Sequence, residues 1–200
     1  MKLVVTYLVV AALAASLVTS TMQAQWSVGA EVGADRFWGG SIEKADDERS
    51  FRPYRPTTFG ARIKREAPGL GVGVRLGYFS AGMALEGPDG LALANGVFTV
   101  YSMAPELLYR IAVIGSANRL LLGAGPLLET WKALDEESET RLGVHGAVAL
   151  HVPLGWKVEA VLSAGGALIP SPFAEDQLEF SFERRPLWRR RFSLGLEYRL

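Results

Sequence analysis

Two histidines are the first candidates for chemistry in a chain with no cysteine. His145 and His151 are six residues apart. On one strand they would face the same side at a separation of about 20 Å, too far to share a metal ion. Nucleophilic hydrolysis needs a serine activated by a histidine that a carboxylate orients. Here His145 is followed by Gly146 and Ala147, while Ser163 and Glu159 lie on a later segment with no spacing that fixes their geometry. The lack of cysteine removes both a disulfide frame and a thiolate metal site. These residues imply no catalytic set, no metal ligands and no cofactor. The run Gly69-Leu70-Gly71-Val72-Gly73 has the glycine density of a nucleotide loop. That motif requires a following helix, and the residues after it alternate as a strand does.

The second chemical feature is basic: Arg184, Arg185, Arg189, Arg190 and Arg191. Guanidinium groups bind phosphate bidentately. The chain as a whole carries 21 basic and 21 acidic residues, a balance that gives no reason to expect nucleic acid. Arg184, Arg185 and Arg190 are therefore candidates for local phosphate contact. The competing reading pairs them with Glu179, Glu183 or the acids Asp46, Asp47 and Glu48.

The elements that must position these residues begin after a leader. Lys2 precedes an apolar run from Leu3 to Val18, and Ser20 to Ala24 is small and polar. That layout is a secretory signal peptide over 1–24; the run is shorter than the roughly 20 residues of a membrane helix. Residues 25–200 then read as one β domain. Trp26, Val28, Ala30, Val32, Ala34 and Trp38 share one face, and Ser27, Gly29, Glu31, Gly33 and Asp35 the other. Such alternation predicts a strand between two environments. Further strands are predicted near 57–66, 70–85, 96–113, 119–131, 141–152, 156–168 and 188–200. Short connections at 67–69, 114–118 and 152–155 alternate with longer ones at 39–56, 86–95, 132–140 and 169–187. An up-and-down barrel produces this alternation, with tight turns at one end and loops at the other. The fold expected is all-β, an eight-stranded antiparallel up-and-down transmembrane β-barrel, since closure alone satisfies the backbone in lipid. All five tryptophans, Trp26, Trp38, Trp131, Trp156 and Trp188, fall at predicted strand ends. They suit two aromatic belts at the membrane interfaces.

Parity assigns an inward set: Glu31, Asp35, Arg62, Lys64, Arg75, Glu106, Arg110, Glu129, His145, His151, Lys157, Glu159, Arg189, Arg191 and Glu197. An eight-stranded interior is just wide enough for side chains to fill, so these charges are expected to pair and plug the lumen. Glu129 is a candidate partner for Arg110 or Lys64. A soluble barrel of lipocalin type would turn its apolar face inward, which the lumen polarity disfavours.

The last eight residues, Ser193-Leu194-Gly195-Leu196-Glu197-Tyr198-Arg199-Leu200, carry a resemblance. Gly195, Tyr198 and Leu200 occupy the glycine, aromatic and terminal apolar positions of the assembly signal of outer-membrane barrels. Together with the leader and the strand pattern, they make residues 25–200 resemble the small outer-membrane β-barrel family: porin-family or OmpA-like transmembrane barrels without a periplasmic domain. The resemblance implies residence in the bacterial outer membrane. Its implied partners are outer-membrane lipid, lipopolysaccharide, whose phosphates Arg184, Arg185 and Arg190 are the candidates to contact, and the barrel assembly machinery. The expected role is structural or a loop-mediated interaction, with no enzymatic activity; the loop ligand is unspecified. The alternatives are a narrow channel or carrier for small solutes and, third, a lipid A-modifying enzyme.

Overall fold

A computed structural model describes residues 24–39, 41–43, 50–87, 90–115, 117–133, 138–171, 182–183 and 186–200. Eight long strands carry the architecture: β1 (Gln25–Gly39), β4 (Thr57–Glu66), β5 (Leu70–Gly87), β6 (Gly90–Ile114), β7 (Asn118–Ala133), β8 (Glu139–Pro153), β9 (Val158–Ile169) and β11 (Leu187–Arg199). Short strands β2 (Ser41–Glu43), β3 (Ser50–Tyr54) and β10 (Phe182–Glu183) lie at one end. Each long strand pairs antiparallel with its neighbour in sequence, and β1 closes the barrel against β11 from Ser27↔Arg199 to Gly39↔Leu187. Closure joins the first strand to the last, so the backbone amides of the wall are paired within the sheet except at local gaps such as the one between Met103↔Leu128 and Leu107↔Ala124.

The residue types explain the strands. In β1, Ser27, Gly33, Asp35 and Phe37 are buried while Trp26, Val28, Val32 and Trp38 are exposed. In β11, Arg189, Arg191, Ser193 and Glu197 are buried, and Trp188, Phe192, Leu194, Leu196 and Tyr198 are exposed. The apolar residues face outward and the charged ones inward, the reverse of a soluble barrel. Inward glycines make room for long side chains. A Cβ on Gly29 would stand 2.6 Å from Glu197 Cγ, and one on Gly73 3.1 Å from Lys64 Cβ. Gly71 and Gly73 thus line the interior of a strand and open no helix.

Three tight turns gather at one end, here the turn end. Ala67 N donates to Leu70 O across a turn in which Gly69 takes φ 89°, and Gly115 takes φ 66° in the next. The opposite, loop end departs from expectation. The span 86–95 is no polar loop: β5 and β6 continue as a hairpin to Gly87↔Gly90, with a register shift at Ala81/Met83. The span 39–56 contains β2 and β3, and β3 pairs with β5 from Ser50↔Glu86 to Tyr54↔Gly82. Met83 and Leu85 on this hairpin pack against the buried cluster of Phe37, Phe79, Phe98 and Trp131.

Candidate functional site

The lumen is the feature the fold builds, and charged side chains stand in it in layers. Nearest the turn end, Lys64 on β4 lies 2.6 Å from Glu66 and 2.7 Å from Glu197 on β11. His151 on β8 stands 3.3 Å from both Glu159 and Glu197. Glu159 and Glu197 are direct cross-strand neighbours, a like-charge pair that is destabilising by itself. Lys64 neutralises one, and Arg119 and Arg199 reach the other. Arg119 also pairs with Glu66, which Arg110 approaches at 3.7 Å.

Above this layer, Glu106 on β6 lies 3.0 Å from Arg62 and 3.9 Å from Arg75, and Arg75 lies 3.5 Å from Glu31. Above that, Asp35 accepts from Arg191 Nε at 2.8 Å, Arg191 Nη2 at 3.0 Å and Thr58 Oγ1 at 2.5 Å. Arg189 pairs with fully buried Glu129. An apolar cap lies above these at the loop end: Phe37, Phe79 and Phe98 surround Trp131 at centroid distances of 5.8 to 6.3 Å. The Arg189 guanidinium sits 5.9 Å from the Phe37 ring and 5.8 Å from the Phe79 ring, tying cap to charge layer by cation–π attraction.

Of the residues assigned inward from sequence, Glu31, Arg62, Lys64, Arg75, Glu106, Arg110, Glu129, Glu159, Arg191 and Glu197 all stand in these layers. Lys157 does not. It lies in the turn before β9, with its ammonium 5.8 Å from the Trp156 ring and 5.5 Å from the Tyr198 ring. Alternation cannot be extrapolated past a strand's first residue, Val158. Glu129 pairs with Arg189 and not with Arg110 or Lys64, because tilt and stagger bring β7 opposite β11 at that height. Trp131 is only 3% exposed and belongs to the cap, not to a belt; Trp26, Trp38, Trp156 and Trp188 do face outward. Glu66 and Arg119 join the network although the inward set assigned from sequence omits them; the parity of Lys64 and of Leu121 would have found both. Arg184 and Arg185 lie outside the described residues, whereas Arg190 points outward with its guanidinium 4.7 Å from the Trp38 ring. Gly195 faces inward against Glu31, where a Cβ would meet backbone at 2.6 Å, and Tyr198 and Leu200 are exposed on the outer wall.

The arrangement limits what the lumen can do. His151, Glu159 and Glu197 are, among the described residues, the one grouping with metal-ligand geometry. The Lys64 ammonium, 3.4 Å from His151 Nε2 and 2.7 Å from Glu197, stands where an ion would be held. Ser163 Oγ is 2.6 Å from Ser193 Oγ, and Ser193 donates to Glu31 at 3.2 Å, so this serine is engaged away from His151 and Glu159. Among the described residues, two lumen cavities measure about 30 and 10 Å³, room for one or two water molecules. A larger groove of about 600 Å³ lies on the wall at the loop end, lined by Leu142, Val144, Leu168, Ile169 and Pro170 among others, where β8 continues beyond its last β9 pair at Val144↔Leu168.

No family model and no curated protein sequence matches this chain. Solved structures do. Neisserial surface protein A aligns with a TM-score of 0.57 at 13% identity, covering 86% of this chain and 96% of that one. The outer membrane protein OprG from Pseudomonas aeruginosa aligns with a TM-score of 0.56 at 14% identity, covering 89% and 96%. A major outer membrane protein from Thermus thermophilus aligns with a TM-score of 0.50 at 16% identity, covering 88% and 99%. At these identities the likeness is one of fold: the closed antiparallel barrel described above aligns over most of each of these chains, and the chain has the fold of the small bacterial outer-membrane β-barrels.

Proposed function

We propose that this chain is an integral protein of the bacterial outer membrane with a plugged lumen, acting structurally or through contacts made by its loop end. Residues 1–24 serve as a cleaved leader, and the strand ending Gly195-Leu196-Glu197-Tyr198-Arg199-Leu200 is read by the barrel assembly machinery. The turn end faces the periplasm. Exposed Val32, Phe59, Leu76, Leu107, Leu162 and Phe192 meet lipid, which is favourable for the same apolar area that water would penalise. The role is not catalytic.

The observation that carries this reading is the filling of the lumen: buried ion pairs along its length, an aromatic cap above them and cavities of about 30 and 10 Å³. The narrow-channel alternative needs a continuous water path through those layers. Planar-bilayer recording of the refolded protein separates the two. We expect no steady conductance, and a stable single-channel current from the wild type would overturn the plug. Location is tested separately, by fractionation and heat-modifiable gel migration. Recovery as a soluble periplasmic protein would end the membrane reading.

A further inference from the structure

Arg36 on β1 and Arg190 on β11 are direct cross-strand partners, and both are exposed on the outer wall. Each lies between two inward residues: Arg36 between Asp35 and Phe37, Arg190 between Arg189 and Arg191. Their outward direction is therefore fixed by the pleat. Like charges directly opposite on one face repel, and the repulsion is stronger beside lipid than in water. The carboxylate nearest in sequence, Asp35, is buried inside and engaged by Arg191 and Thr58. Among the carboxylates whose side chains are described, none pairs with Arg36 or Arg190.

The surroundings give the pair a height and an open side. The next outward cross-strand pair toward the loop end is Trp38↔Trp188, both exposed. Two tryptophans side by side mark the headgroup level, and the arginines sit two residues below, about 5 Å in height for a strand tilted by about 40°. An arginine stem is long enough to raise its head group across that gap. Arg190 does so, with its guanidinium 4.7 Å from the Trp38 ring. On its β9 side Arg190 faces Gly166, which has no side chain to crowd the guanidinium.

We propose that Arg36 and Arg190 form a phosphate clamp on the lipid-facing wall, and that its occupant is a phosphate group of lipid A in the surrounding outer leaflet. The inference rests on the outer-membrane reading above. Two forked guanidiniums match the oxygens of a phosphate monoester, and the bound anion removes the repulsion between them. Trp38 and Trp188 flank the same site and hold it at the depth where lipid phosphates lie.

The test uses the full barrel refolded in detergent and titrated with lipid A, retention being read by native mass spectrometry. The wild type should retain phosphorylated lipid A, and R36Q/R190Q should lose it by about tenfold or more. Dephosphorylated lipid A should behave on the wild type as the phosphorylated form does on the variant. R52Q, which breaks the exposed Arg52–Glu86 pair, should retain lipid A normally. Equal retention by R36Q/R190Q, or equal retention of the dephosphorylated lipid, would overturn the clamp. Displacement by excess inorganic phosphate would overturn the lipid as occupant. Heat-modifiable migration of each variant reports the barrel itself, so failure of the clamp is distinguishable from failure of the membrane reading. If R36Q/R190Q does not fold, the two lipid forms on the wild type decide the matter.

Discussion

Removing the Glu106 carboxylate should destabilise the barrel more than any single change on its surface. The side chain of Glu106 is fully buried, 3.0 Å from Arg62 and 3.9 Å from Arg75, whose own side chains are 6% and 7% exposed. With an effective dielectric constant near 20, these attractions are about 5.5 and 4 kcal/mol. Burying the carboxylate offsets several kcal/mol of that sum. Arg75 keeps Glu31 at 3.5 Å after the change, but Glu106 is the carboxylate that faces Arg62. Glu106→Ala therefore leaves a buried guanidinium without its counter-ion, and the expected loss is about 3–5 kcal/mol. Glu106→Gln keeps the volume and loses the charge, so it should fall between. The double change Glu106→Leu with Arg62→Met replaces the pair by apolar groups and should recover most of the stability, as buried pairs often allow. Arg52→Ala, at the exposed Arg52–Glu86 pair, should cost about 0–1 kcal/mol. The assay is urea unfolding of the barrel in phospholipid vesicles, followed by gel mobility. A Glu106→Ala variant no weaker than Arg52→Ala would refute the reasoning, and so would a double variant weaker than the single.

Other expected outcomes follow from the same layers. Lys64→Met removes the cation 2.6 Å from Glu66 and 2.7 Å from Glu197, so it should cost about 3–5 kcal/mol. Lys157→Met, a cation over two exposed rings at the rim, should cost under about 1 kcal/mol; equal unfolding midpoints for the two would remove the distinction drawn between lumen and rim. Trp131→Ala empties the centre of the aromatic cap and should lower stability by about 3–5 kcal/mol. It should still give no steady current in a planar bilayer, because Arg189, Glu129, Arg191 and Asp35 lie beneath it. Tyr198→Asp should reduce insertion, scored by the heat-modifiable band, more than Arg52→Asp does; normal insertion of Tyr198→Asp would remove Tyr198 from the assembly signal.

The alternation of residue types determined most of the fold without help. Because a strand turns successive side chains to opposite faces, Val28, Ala30 and Val32 against Ser27, Gly29 and Glu31 already separate wall from lumen, and the same logic places Arg62, Lys64 and Glu106 inside. The three tight turns were legible because Gly, Pro and Asn leave few other conformations. Alternation carries no information on which strands meet across the lumen, or at what height. Tilt and stagger decide that, which is why Glu129 meets Arg189 and why Arg110 approaches Glu66. Nor does parity survive the end of a strand, where Lys157 turned out to the rim, or a register shift such as the one at Ala81/Met83 in the β5–β6 hairpin. A tryptophan at a strand end satisfies both a membrane belt and a lumen cap in sequence. Closure of the barrel chose the cap for Trp131, because Phe37, Phe79 and Phe98 converge there from β1, β5 and β6. Sequence by itself determined the faces; the closed three-dimensional wall decided the partners, because β1 and β11 become neighbours only when the two ends of the sheet meet.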